Sequence, residues 1–266
     1  MKIIALLTDF GENDPFVGVM KGVMLSLNPH VTIVDLTHGI PPGDIGEAAF
    51  ILKTSLAYFP KGTLFVIVVD PGVGSERKIL YAKTSSFEFL APDNGVLQFI
   101  LEESSPIELI HVQNSDYFLH PVSHTFQGRD IFAPVAGHLS KGLDPKKLGP
   151  VLAKEKLVSF PFPKAYRDRN GIWHGEVIYI DRFGNLITNF FHPEIDLQKN
   201  AIEEIGIKDM KVRDFVKNYR EQEGRPVVLM NSFDAIEIAF SQGNAATFFN
   251  VKKGEKVTLK CRTSSF

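Results

Sequence analysis

The chain has 266 residues, a formal charge of −2 at neutral pH, and 44% hydrophobic against 23% charged residues. That length fits one large or two modest domains with a sizeable core, and the composition is that of a globular chain rather than a disordered one. The near-balanced charge and the lack of a basic stripe argue against a nucleic-acid partner, since Lys146-Lys147 and Lys252-Lys253 are short surface pairs.

Residues 2–8 are apolar without polar alternation, which predicts a buried parallel strand. The run is too short for a signal-peptide core or a membrane span, so a cytoplasmic protein with no membrane partner is expected. A turn-rich stretch from Asp9 to Pro15 follows. Phe16, Val17, Met20, Val23, Met24 and Leu27 then recur at helical spacing until Asn28-Pro29. Val31 to Leu36 reads as a strand, Ile45 to Phe59 as a helix capped by Asp44, and Thr63 to Val69 as a third buried strand. This order predicts a mainly parallel sheet with helices on its faces.

Two short strands near 79–83 and 87–91 suggest a hairpin. A helix near 96–103, a strand at 107–112 and a helix near 131–139 complete an α/β domain of residues 1–158. Residues 154–171 mix prolines and charge without periodicity, placing a linker at 159–172. Beyond it, 173–180, 186–190, 227–230, 235–239 and 256–260 are short strand-like runs, predicting a smaller β-barrel-like domain over 173–266. The single cysteine, Cys261, excludes an intrachain disulfide and reads as a buried or edge thiol at a strand end.

In open parallel sheets, ligands bind beyond the carboxyl ends of the strands. Two loops there are polar: Thr8 to Asp14, with three carboxylates, and Asp70 to Arg77. Asp9 reads as readily as a cap or Asx-turn, and Asp70-Pro71-Gly72 as a plain turn. Their shared sheet edge and Arg77, able to hold a carboxylate ionised, favour function. Gly72-Val73-Gly74 lacks the third glycine of a dinucleotide loop, and there is no Walker sequence. His120 and His124 are separated by Pro121, and no cysteine or histidine pairing has metal-ligand spacing, so no metal is expected. Ser75 and Ser232 sit in no nucleophile elbow.

Six motifs occur in order: Thr8-Asp9-Phe10-Gly11, Asp70-Pro71-Gly72-Val73-Gly74-x-x-Arg77, Ala91-Pro92-Asp93-Asn94-Gly95, Thr125-Phe126-x-Gly128-Arg129-Asp130-Ile131-Phe132-Ala133-Pro134, Asp181-x-Phe183-Gly184-Asn185-x-x-Thr188-Asn189 and Asn231-Ser232. Together they resemble the S-adenosyl-L-methionine hydrolases, or hydroxide adenosyltransferases, relatives of the fluorinase and chlorinase enzymes. The resemblance spans residues 2 to about 260. It implies attack of water on the ribose C5′ carbon, releasing adenosine and L-methionine, with S-adenosyl-L-methionine as substrate and no cofactor.

The resemblance also assigns roles. Asp9 grips the ribose hydroxyls, while Asp70 and Arg77 activate the water. Asp14 and Asp181 face the methionine ammonium and Ser232 its carboxylate. Phe183 lies against adenine and Asn185 bonds its edge. It further implies a homotrimer with sites shared between neighbouring subunits. One position departs from the family pattern: Gln127 stands where the family carries histidine. Glutamine orients a water but takes up no proton near neutral pH. Three readings follow: an engineered change that traps ligand, a natural variant with slower turnover, or a variant in which His124 substitutes. Other classes remain open beside the hydrolase. One is a protein that binds S-adenosylmethionine or adenosine without turnover, and another is a halide-dependent adenosyltransferase.

Overall fold

The computed structural model describes residues 2–104, 106–192, 195 and 202–262, so the outer ends of the two expected domains fall outside it. The chain forms two compact units, dividing between Phe160 and Pro161.

In the first unit, β1 (Ile3–Thr8) pairs in parallel with β2 (Thr32–Thr37) and with β3 (Leu64–Val68). β3 also pairs in parallel with β5 (Glu88–Pro92), while β4 (Ile79–Lys83) runs antiparallel to β5 and to β6 (Glu108–His111). The order is β2-β1-β3-β5-β4-β6. Both faces of the central strands are covered, which is why they carry no polar alternation. Ile4, Leu6, Leu64 and Val66 join one core with Met20 and Met24 of α1 (Phe16–Leu27) and with Val135 and Leu139 of α4 (Ala133–Ser140). Phe65 and Phe89 stack 5.7 Å apart, with Phe59 and Phe87 edge-on to Phe65. Lys53 of α2 (Ile45–Ser55) pairs with Glu103 of α3 (Gln98–Glu103) at 2.6 Å.

Asp44 caps α2 as expected, its Oδ1 accepting from the Glu47 N–H at 2.9 Å. The α-helical part of that segment ends at Ser55 rather than Phe59, and a 3₁₀ turn, Leu56–Tyr58, finishes it ahead of Pro60. A π-turn, Gly128–Phe132, leads directly into α4. Such single π-turns occur often at functional sites.

The second unit is an antiparallel sheet of eight strands. They are β7 (Tyr166–Arg167), β8 (Trp173–Ile180), β9 (Leu186–Phe191), β10 (Ile202–Ile207), β11 (Met210–Val212), β12 (Pro226–Met230), β13 (Ala235–Phe240) and β14 (Lys256–Cys261). Their order is β11-β10-β14-β8-β9-β13-β12, with β7 beside β8. Phe215, just past β11, bridges Val228 of β12, so the ends of the series approach and the sheet is nearly closed. Closure hides the edges that a small open sheet would expose. Val177, Phe190, Ile205, Ile236 and Leu259 fill the interior, and α5 (Ala245–Phe249) packs on it.

The proline-rich stretch read as a linker is partly tied down. The Val158 N–H donates to Asp93 Oδ1 at 2.9 Å and the Phe160 N–H to Gln98 Oε1 at 2.8 Å, both in the first unit. Further on, Tyr166–Arg167 pairs with β8 in the second. Cys261 ends β14, half-buried, and burial raises its thiol pKa. Among the described residues, no helix is long and apolar enough to cross a membrane.

Candidate active site

Because β1, β2, β3 and β5 are mutually parallel, their carboxyl ends meet at one edge. That edge carries Asp9 after β1, His38 and Gly43 after β2, Asp70 after β3, and Asp93-Asn94 at the end of β5.

Asp9 does not cap α1. Its Oδ2 accepts from the Gly43 N–H at 2.8 Å, joining two loops. Burial raises the Asp9 pKa and the Asp70 charge adds to the rise, while the Gly43 N–H opposes it. The two aspartates are thus electrostatic neighbours. Behind Asp9, the buried His38 ring bonds the Thr8 hydroxyl through Nδ1 at 2.9 Å. Its Nε2 lies 3.0 Å from Asp35, fixing the strand end.

Asp70 keeps the turn role that its Pro-Gly neighbours suggested: Oδ1 accepts from the Gly72 N–H at 2.8 Å. It also gains a charge partner, Arg77 Nε at 3.4 Å from Oδ1. The Arg77 Nε is buried without a well-aligned acceptor, while Nη1 donates to the Asp93 carbonyl at 2.8 Å. Asn94 Nδ2 donates to the Val69 carbonyl at 2.8 Å, tying the last residue before Asp70 to the β5 loop.

Two glycines bring the loops into contact. A Cβ on Gly43 would sit 3.2 Å from Pro71, and one on Gly74 would sit 2.5 Å from the His124 carbonyl oxygen. The second contact places the segment leading to Gln127 on the Asp70 loop. That segment is closed by Asp130, fully buried, which takes two bonds from Arg129 (2.6 and 3.0 Å) and one from the Ser123 N–H (2.8 Å). Burial pushes the Asp130 pKa up, but the Arg129 and Ser123 bonds outweigh it and hold the carboxyl below its ordinary value. Gln127 precedes the π-turn and makes no side-chain cap there. His124 and Asp14 are exposed. Phe10, Phe16 and Phe126 form an aromatic cluster beside them, with ring centroids 5.1 to 5.9 Å apart.

In the second unit, Asp181 organises the β8–β9 turn. Oδ1 accepts from the N–H groups of Phe183 and Asn185, both at 2.9 Å, and Oδ2 from Asn185 Nδ2 at 2.8 Å. Asn185 is thereby held in place and buried, while Phe183 is 74% exposed, a flat face open to a ring. Ser232 sits exposed on the β12–β13 turn. There Asn231 Oδ1 accepts from the N–H groups of Phe233 (2.9 Å) and Ala235 (3.1 Å).

The structure therefore groups Asp9, Asp70 and Arg77 at one edge of the first unit, with Gln127 on a loop packed against it. Asp181, Phe183 and Asn185 share one turn of the second unit, and Ser232 stands on another. Asp93, Asn94 and His38 support the first cluster and carried no role from sequence, although Asp93-Asn94 lay in a quoted motif. Glu237, flanked by isoleucines in a buried strand, was likewise missed; its polarity in an apolar run was the available signal.

The N-terminal domain model of the SAM hydroxide adenosyltransferases matches residues 4–149, and the C-terminal one matches 175–258. An (R)-S-adenosyl-L-methionine hydrolase of Thermus thermophilus is 34% identical across 97% of this chain and 100% of its own. One from Methanocaldococcus jannaschii is 34% identical across 97% and 96%. A fluorinase of an Actinoplanes species is 29% identical across 97% of both. The crystal structure of an uncharacterized conserved protein from Thermotoga maritima superposes with a TM-score of 0.87 at 34% identity, covering 97% of this chain and 100% of that one.

Proposed function

The chain belongs to the SAM hydroxide adenosyltransferase family, and we propose that it hydrolyses S-adenosyl-L-methionine to adenosine and L-methionine. The observation that carries this reading is the Asp70–Arg77 pair: a carboxylate anchored by the Gly72 N–H and the guanidinium, at the strand edge where Asp9 also lies.

The water oxygen forms a bond to C5′ while the C5′–S bond breaks, and its electron pair leaves with sulfur as a neutral thioether. The sulfonium charge is cancelled by that pair, so the leaving group needs no protonation and the reaction no cofactor. The proton lost by water passes toward Asp70, and thence to solvent. Orientation of the water in line with C5′ supplies much of the rate. Asp9 suits the ribose, because one carboxylate accepts bonds from two neighbouring hydroxyls. Asp14 and Asp181 would take the ammonium and Ser232 the carboxylate of the methionine end. Phe183 would cover adenine and Asn185 bond its edge.

A halide-transferring activity is disfavoured by the same residue, since a carboxylate at Asp70 repels a bound anion. Gln127 fits a natural variant with slower turnover, because it orients water without taking up a proton. A homotrimer and a cytoplasmic location complete the proposal; light scattering in solution checks the first.

The deciding experiment incubates the protein with each sulfonium epimer of S-adenosylmethionine, and chromatography follows adenosine and methionine. The names of the relatives favour the (R) epimer. Adenosine above a no-enzyme control, lost in D70N, supports the proposal. Calorimetric binding without product over long incubation makes the chain a binding protein instead. A 5′-halo-adenosine formed with chloride or fluoride makes it a halogenase.

A further inference from the structure

Glu237 lies in the middle of β13, directly opposite Leu229 of β12 and Ile187 of β9. Its side chain is almost wholly enclosed, at 3% exposure, and the hydrolytic step makes no use of it. A carboxyl in that position needs partners to offset the loss of water. Two groups supply them. The Tyr219 O–H donates to Oε1 at 2.8 Å. Asn231, two residues past Leu229 and so diagonal to Glu237 across the β12–β13 pair, carries a side-chain amide whose Nδ2 is buried without a hydrogen-bond partner, and its nearness helps the carboxyl ionise.

Both partners are anchored elsewhere. The Tyr219 carbonyl accepts from the Ser241 hydroxyl at 2.6 Å, so that residue is pinned at its main chain and at its ring. Asn231 uses its remaining oxygen to hold the turn that carries Ser232. Glu237 is also near Asp181. Burial raises the Glu237 pKa, the Tyr219 and Asn231 donors pull it back, and the Asp181 charge raises it further. Glu237 therefore lies between the turn that presents Ser232, which enters β13 at Ala235, and the turn built on Asp181, which enters β9 at Leu186 opposite Ile238.

We infer that Glu237 is a positioning residue for the amino-acid end of the substrate, acting through Asn231 on the Ser232 turn, with Tyr219 holding the other side of its carboxyl. The inference rests on the reading that Asp181 and Ser232 receive the methionine moiety. Glu237 presents an acceptor oxygen to each of two donors at once, the bonded Tyr219 hydroxyl and the facing Asn231 amide, and a glutamine cannot. With its single oxygen toward Tyr219, its amide opposes the Asn231 amide; turned over, it leaves the Tyr219 hydroxyl without its acceptor. Replacing Asn231 by aspartate restores a partner. Its Oδ1 keeps the two turn N–H groups and its Oδ2 accepts from the glutamine amide.

The test uses the full-length protein as wild type, E237Q and the exchange variant N231D/E237Q. Steady-state kinetics with S-adenosylmethionine are joined by calorimetric titrations with L-methionine and, separately, adenosine. Expected for E237Q is a KM raised roughly tenfold, kcat within about twofold of wild type, L-methionine binding weakened by the same factor and adenosine binding unchanged. The exchange variant should recover at least half of that loss on a logarithmic scale. A purely structural role would instead lower kcat through loss of folded protein and weaken both titrations alike. Unchanged KM and L-methionine binding in E237Q, equal weakening of adenosine, no recovery on exchange, or no L-methionine binding by wild type each overturns the inference. If wild type releases no adenosine, the hydrolase reading falls by itself, and the two titrations still judge Glu237.

Discussion

Gly74→Ala tests how the Asp70 loop and the loop leading to Gln127, both catalytic in the proposed function, are held together. Gly74 has φ +81°, and a Cβ there would stand 2.5 Å from the His124 carbonyl oxygen, about 0.9 Å short of the 3.4 Å at which ordinary contact begins. Two costs follow. The left-handed backbone disfavours any side chain by about 1–2 kcal/mol. The clash is with backbone, which cannot swing aside, and overpacking of this kind adds about 1–3 kcal/mol. Gly62 separates the two, because it has φ +83° with nothing within 4 Å. At about 2–4 °C per kcal/mol for a protein of this size, G62A should lower Tm by roughly 2–8 °C and leave turnover alone. G74A should lower Tm further, by about 4–20 °C in all. It should also cut kcat about 100-fold, because parting the loops by nearly an ångström misplaces the Asp70 side relative to Gln127. Adenosine release gives kcat, differential scanning calorimetry gives Tm, and adenosine titration shows that the ribose grip survives. A G74A protein with wild-type kcat, or one whose Tm falls only as far as that of G62A, would refute the account of how these loops meet.

Further outcomes follow from the same geometry. Gln127→His should raise kcat about 10- to 100-fold and add a limb near pH 6.5 to its pH profile, while H124A alone should leave kcat within about twofold; a pH-rate series on both variants checks this. Asp9→Asn should weaken adenosine binding at least roughly tenfold, since an amide cannot accept from both ribose hydroxyls as a carboxylate does. The same variant should gain thermal stability at neutral pH. The folded Asp9 pKa is raised, so the native state holds that proton more tightly than the unfolded chain, and the wild-type side chain loses stability as pH climbs through both values. The Tm advantage of D9N should therefore appear above about pH 4 and vanish below it, as melting curves at several pH values will show. Phe183→Ala should leave Tm unchanged, because the ring is exposed. It should weaken adenosine binding by about 1–3 kcal/mol, the usual worth of a base stacked on an aromatic ring, measured by calorimetry.

Much of the first unit was legible because its physics is local. An unbroken apolar run such as residues 3–7 suits a strand buried on both faces, and Asp44 before Ile45 is a cap whose bond to Glu47 forms within one turn. In the second unit β10 and β11 escaped notice. Glu203 and Glu204 break the alternation of Ile202–Ile207, and their charges are answered across the sheet and after β11, by Lys260 (2.9 Å), Lys211 (2.6 Å) and Arg213 (3.0 Å). Nothing in a window of sequence announces those pairings.

The opening pair of aspartates draws the same line. Sequence placed Asp9 and Asp70 at strand ends, and parallel pairing was enough to put them at one edge. Their difference is tertiary. Asp9 takes its bond from Gly43 on another loop, while Asp70 turns back on Gly72 and receives Arg77. Which groups come within hydrogen-bonding reach depends on how separate loops pack, through contacts such as Gly74 with His124 that no local pattern encodes. Residue types and strand order determined the chemistry available to this protein. Burial and the meeting of distant loops decided which carboxylate, Asp9, is held by another loop, which one, Asp70, is paired with an arginine, and which one, Glu237, is buried in the second unit.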